Sequence, residues 1–172
     1  MHTYKMSVLL VTYNSEWKDI KKTLKSIINQ NFDDFELVIS DDGSKDNKFT
    51  QIEEYMEENN FSAYKLVGHD KNQGTVKNLI SGLENCSGKY VRDFGPGDMF
   101  YTRNALKDIY EFMEIKQCDS CFCRVQGYVE KKGVLIKRDY VHPFNINVYK
   151  NKKALPQPGC PPVYPDLRVG HA

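Results

Sequence analysis

Short apolar runs alternate with stretches of helical period along most of this chain. Ser7 to Thr12, "SVLLVT", is brief, apolar and rich in branched residues, and reads as a buried strand. Trp17, Ile20, Leu24, Ile27 and Ile28 then recur at helical spacing, which predicts an amphipathic helix over Glu16 to Gln30 with Ser15 as its N-cap. "NFDDF" breaks the pattern, and "FELVIS" reads as a second strand. Phe49, Ile52, Tyr55 and Met56 mark one face of a second helix, and Ala63 to His69 a third strand. Val76, Leu79, Ile80 and Leu83 mark the apolar face expected of a third helix. "CSGKYVRDF" turns at Gly88 into a fourth strand, and Leu106, Ile109, Tyr110 and Met113 give a fourth helix.

A strand–helix alternation of this kind predicts an α/β fold, a mostly parallel sheet with helices on both faces. Right-handed crossovers place all strand carboxyl ends on one edge, where ligands bind. The loops at that edge are "TYNSE", "DDGSKDN", "DKNQG" and "GPGD", so the unusual polar residues converge there. Beyond the fourth helix, "CFCRVQGYV", "EKKG" and "VLIKRDYV" read as a β-hairpin. The last 19 residues hold five prolines, which predicts an irregular tail. The expected division is residues 1–115 as the α/β core, 116–150 as the hairpin segment and 151–172 as the tail.

Composition narrows the function. The 172 residues carry a net charge of +1, which gives no electrostatic case for nucleic acid as a partner. No apolar run approaches the roughly 20 residues of a membrane span. Val8 to Val11 is too short for the core of a secretory signal. Five cysteines, an odd number, suit a reducing cytoplasm better than a disulfide framework. Cys118, Cys121 and Cys123, with Cys160 or His142, have zinc-like density, but buried thiols in a strand-like run are the preferred reading.

The second strand stops on Asp41 and Asp42, and Gly43 then turns the chain. Adjacent side chains on an extended chain point opposite ways, so the two carboxylates are expected to have different roles. One would orient the turn, as in an Asx turn, and the other would face a ligand.

The ordered set Thr12-Tyr13-Asn14, Ser26, Gln30, Phe35-Glu36, Asp41-Asp42-Gly43-Ser44, Asp46, Asn72, Gly74, Asn78, Gly88 and Tyr90 resembles the family-2 glycosyltransferases of the GT-A fold. The resemblance covers about the first 110 residues. It implies a nucleotide-diphosphate sugar as donor, UDP-linked by preference. The sugar would go to an acceptor hydroxyl on a growing glycan or a lipid-linked acceptor, at the inner face of the membrane or in the cytoplasm. Thr12, Tyr13, Asn14, Asp41, Asp42 and Lys77 are the implied nucleotide-binding residues. Tyr13 would lie against the base, and Asp42 would accept a hydrogen bond from its N–H. Lys77 either balances diphosphate charge or is a solvated surface lysine.

The resemblance also implies a divalent cation, Mn²⁺ or Mg²⁺, on an acidic motif after the fourth strand. Two of the acidic positions fall here on Gly95 and Gly97, and only Asp98 remains. Asp98 either holds the metal or caps its own loop. No match to the family's catalytic base is found. Asp139 lies in a strand-like run and Asp166 in the proline-rich tail. The alternative to an active transferase is therefore a nucleotide-sugar-binding chain that lacks the base. A dinucleotide-binding domain is disfavoured, because no G-x-G-x-x-G follows the first strand.

Overall fold

The computed structural model describes residues 3–142 and 168–171. It has two compact units, Met1–Asp98 and Met99–Ala172. The first holds strands β1 (Tyr4–Thr12), β2 (Phe35–Asp41), β3 (Tyr64–Gly68) and β4 (Gly88–Phe94), with helices α1 (Trp17–Ile28), α2 (Phe49–Glu58) and α3 (Thr75–Glu84) between them. All pairings are parallel and the strand order is β3-β2-β1-β4. The chain steps outward through β2 and β3, then α3 carries it back across to the other side of β1. Right-handed crossovers put α3 on the face opposite α1 and α2. The order reverses between β1 and β4, so the crevice beyond those two strands is the topological switch point.

Burial follows position in the sheet. All seven residues of β2 and the run Met6–Leu10 of β1 are buried, as central strands of a covered sheet require. On the α1–α2 side, the rings of Trp17 and Tyr55 meet edge to face at 6.1 Å.

Three helix details differ from the expectations. Trp17–Ile28 is shorter than the predicted 16–30, and its N-cap is Glu16, with no side-chain capping bond. Ser15 turns back instead, its hydroxyl within 3.4 Å of both the N–H and the carbonyl of Tyr13. Helix α3 forms where expected, but Val76, Ile80 and Leu83 are exposed, and Asn78 and Gly82 form its buried side. The cause is close approach. A Cβ on Gly82 would lie 2.5 Å from Leu9 Cδ1 and 3.2 Å from Ser40 Cβ, so only glycine lets the helix sit this near the sheet.

At the amino ends of the strands, the buried Glu36 joins all four. Its Oε1 accepts from Ser7 Oγ (2.7 Å) and Ser87 Oγ (2.8 Å) and from the Ser87 N–H, while its Oε2 pairs with Lys65 Nζ at 2.9 Å. Gly88 N–H completes the ring by donating to Ser7 Oγ at 2.8 Å. Burial acts most strongly and would raise the Glu36 pKa. Lys65, Ser87 and Ser7 outweigh it and hold the carboxyl below its ordinary value of 4.5.

The second unit carries helix α4 (Ala105–Lys116) and a sheet of order β5-β8-β6-β7. Its strands are β5 (Asp98–Phe100), which starts at the boundary, β6 (Arg124–Lys131), β7 (Val134–His142) and β8 (Arg168–His171). Helix α4 buries Ala105, Leu106, Ile109 and Met113, close to the predicted face. Strands β6 and β7 form the expected antiparallel hairpin, turning at Lys132 and Gly133 with positive φ at both, the signature of a type I′ turn. Residues 151–167 of the tail lie outside the described residues. Arg168–His171 is a strand parallel to β6 rather than irregular chain.

The strand-like reading of Cys121 and Cys123 is corrected, because β6 begins at Arg124. Cys118 is buried. Among the described residues no group of three His, Cys, Asp or Glu side chains is placed to hold a metal ion. Cys160 lies outside the described residues.

Candidate functional site

The carboxyl ends of β1, β2 and β3 are joined by their own side chains. Asp41, the last residue of β2, is buried. Its Oδ1 accepts from the Ser44 N–H at 2.7 Å, and its Oδ2 accepts from Ser44 Oγ at 2.7 Å and Thr12 Oγ1 at 2.8 Å. Asp41 thus closes the Asp41–Ser44 turn and ties it to the end of β1. Ser44 Oγ in turn accepts from the Asn14 N–H at 2.6 Å, and Asn14 Oδ1 accepts from the Lys45 N–H at 3.2 Å. Asn14 has φ 47°, a left-handed conformation that asparagine tolerates, and it reverses the chain just after Tyr13.

Asp42 points elsewhere. Its backbone N–H donates to Thr12 O at 3.0 Å, while its side chain reaches the loop after β3. Oδ1 accepts from the Gln73 N–H at 2.8 Å and Oδ2 from the Gly74 N–H at 3.0 Å. The two aspartates therefore have different partners. Each is only 2% exposed, and the oxygens of both accept hydrogen bonds from the chain itself.

Gly43 is forced by the same closeness. It has φ +71°, and a Cβ there would fall 2.4 Å from the backbone carbon of Lys71 and 2.8 Å from the Asn72 nitrogen. Asn78, on the first turns of α3, closes the assembly from below. Its Nδ2 donates to Thr12 O (3.3 Å) and Ser40 O (3.1 Å).

The Tyr13 side chain stands outside this network, and the residue is 49% exposed. It projects from a loop held at Thr12 and at Asn14, next to the switch point, which suits a ring that receives a flat ligand. Lys77 is exposed in the first turn of α3.

The loop after β4 was expected to carry the acidic motif. Asp98 Oδ2 accepts from the Gly95 N–H at 3.1 Å, the geometry of a loop cap. Gly97 N–H is held by Thr23 Oγ1 at 2.9 Å and lies 3.2 Å from Asp19 O, so α1 fixes the loop. Asp93 is exposed and pairs with Arg92 at 3.3 Å. A divalent cation would meet one carboxylate with an oxygen already engaged, and glycines where further ligands would stand. Among the described residues this donor set does not fit a resident metal.

Reasoning from the sequence missed Thr23, whose hydroxyl lies within an apolar helical stripe, and the backbone of Gln73 and Gly74 as the partner of Asp42. Neither leaves a local signal. Asp139 lies in β7, and Asp166 lies outside the described residues.

The chain is 28% identical over 161 residues to a cholesterol galactosyltransferase of Borreliella burgdorferi, covering 94% of this chain and 39% of that protein. It is 33% identical over 135 residues to the GalNAc(5)-diNAcBac-PP-undecaprenol beta-1,3-glucosyltransferase of Campylobacter jejuni, covering 77% of this chain and 41% of that protein. The structure of residues 1–349 of Staphylococcus aureus TarS with UDP-GlcNAc superposes with a TM-score of 0.62 at 30% identity, over 76% of this chain and 36% of that one. The chain thus spans well under half the length of these relatives. The family model described as glycosyl transferase family 2 matches residues 7–168, which take in β1 from Ser7 onward and every loop of the joined edge; this chain belongs to that family.

Proposed function

We propose that this chain binds the nucleotide end of a nucleotide-diphosphate sugar, UDP-linked, at the carboxyl edge of β1, β2 and β3. The whole protein would transfer the sugar to a hydroxyl of a glycan or lipid-linked acceptor. The observation that carries the reading is the hydrogen-bonded assembly of Thr12, Asn14, Asp41, Ser44, Asp42 and Gly74, with the exposed Tyr13 between Thr12 and Asn14. It fixes the loop beside the switch point, and a pre-formed loop lowers the ordering cost of binding. The UDP-GlcNAc held by the TarS neighbour supports a uridine nucleotide.

In this reading the base lies on Tyr13, with its polar edge towards the backbone of residues 12–14 and 72–74. Asp41 and Asp42 act by positioning these segments. Transfer breaks the bond between the anomeric carbon and the diphosphate oxygen and forms a bond to the acceptor oxygen. The acceptor proton passes to a base, and the diphosphate leaves with the electron pair. Holding donor and acceptor together supplies much of the rate.

The test is calorimetry of the full chain with UDP, GDP and ADP, followed by a transfer assay with UDP-sugars. Saturable UDP binding that is stronger than ADP binding is expected. Equal weak binding of all three would remove the uridine site.

A further inference from the structure

The residues after β4 leave the charge of a bound diphosphate without the acidic cluster that would recruit a cation. Gly95 and Gly97 offer no ligating side chain, and the N–H groups of both are taken up within the loop and by α1. Asp98 turns an oxygen back to Gly95. Positive charge stands instead on the neighbouring loops. Lys45 donates its backbone N–H to Asn14. The backbone of Lys71 lies against Gly43, and Lys77 immediately precedes the Asn78 that holds Thr12. None of these three lysines forms an ion pair among the described residues, whereas Lys48 is already paired with Asp46. Asp70 is the one acidic side chain of the 69–74 loop.

We propose that this chain holds the diphosphate of a uridine nucleotide without a divalent cation, using Lys71 and Lys77 as the counter-charge. The inference rests on the nucleotide-sugar reading above. A lysine ammonium is a compact donor with three N–H bonds on a flexible stem, suited to phosphate oxygens as a point charge. Its counter-charge is permanent at neutral pH and needs no built cage. A single carboxylate that caps its own loop supplies no such cage.

The experiment is calorimetric titration of the full chain with UDP, once in EDTA and once in excess Mn²⁺. Equal affinity in the two buffers, within about threefold, is expected. In EDTA, Lys77→Ala and Lys71→Ala should each weaken UDP by about three- to tenfold, the range of one charge-assisted contact at a partly exposed site. Both positions are solvent-exposed, so the variants should keep the wild-type melting temperature. A gain of tenfold or more with Mn²⁺, or wild-type affinity in the Lys71→Ala/Lys77→Ala double variant, overturns the inference and leaves the nucleotide site standing. No UDP binding in either buffer overturns the nucleotide reading, and this inference falls with it.

Discussion

Asn78 and Ser40 grip each other across the contact between α3 and β2. Ser40 Oγ donates to Asn78 Oδ1 at 2.6 Å, and Asn78 Nδ2 donates back to Ser40 O at 3.1 Å. Both residues are buried. The same amide also reaches Thr12 O, so one side chain sets the distance between a helix and the ends of two strands. Asn78→Ala would remove the amide's bonds to Ser40 O and Thr12 O and leave the Ser40 hydroxyl only the Asn78 backbone carbonyl at 3.2 Å, at a cost of about 1–3 kcal/mol. Urea denaturation of Asn78→Ala, Ser40→Ala and the double variant should give a coupling of about 1 kcal/mol. Additive losses would count against a shared bond.

Gly43 offers a sharper contrast. Alanine there meets both a left-handed φ and the Lys71 backbone, and main chain on that side has no room to yield. Gly43→Ala should cost about 3–5 kcal/mol. Gly133 also has positive φ, but a Cβ there meets nothing within 4 Å. Gly133→Ala should cost only about 1–2 kcal/mol. Similar melting temperatures for the two variants would show that the loops after β2 and β3 are further apart than they stand here.

These contacts mark what the sequence could and could not reveal. Strands β1 and β2 were legible because buried parallel strands are continuous apolar runs, and the edge loops because polar residues cluster after each run. The inward face of α3 was not legible. Periodicity nominated Val76, Ile80 and Leu83, yet the sheet takes Asn78 and Gly82, because a small residue and a hydrogen-bonding one allow the closer approach. The separate roles of Asp41 and Asp42 followed from strand geometry. The partner of Asp42 did not, since Gln73 and Gly74 are about 30 residues away and contribute only backbone N–H groups. That glycines stand at positions 95 and 97 was plain in the sequence; the hold of Thr23 on that loop was not.

Tyr13 and Asp42 should separate cleanly in binding and stability. The Tyr13 ring is exposed, so Tyr13→Ala should leave the melting temperature unchanged. In the proposed site it should weaken UDP by about 1–3 kcal/mol, the scale of one stacked base. Asp42→Ala releases the Gln73 and Gly74 N–H groups and should lower both stability and UDP affinity, by about 1–3 kcal/mol of stability. Asp42→Asn, which keeps one acceptor oxygen, should fall between. If Tyr13→Ala binds UDP as the wild type does, the base lies elsewhere.

Acid stability should depend on Glu36. Its folded carboxyl has a depressed pKa, so the stability it contributes is present above the unfolded value of 4.5. That contribution is lost as pH falls below this value and through the lower folded one. Above pH 6, Glu36→Gln should be destabilising by about 2–4 kcal/mol, because Lys65 loses its counter-charge and the bonds from Ser7 and Ser87 weaken. Below about pH 4.5 the wild type should lose stability faster than the variant, since the glutamine cannot titrate. The gap between the two should therefore narrow with acid. Urea midpoints measured at pH 7, 5, 4 and 3 test this directly. Parallel curves for wild type and Glu36→Gln would mean that the carboxylate titrates alike in the folded and unfolded chain, and that its charge adds no net stability to the four-strand ring of Ser7, Glu36, Lys65 and Ser87.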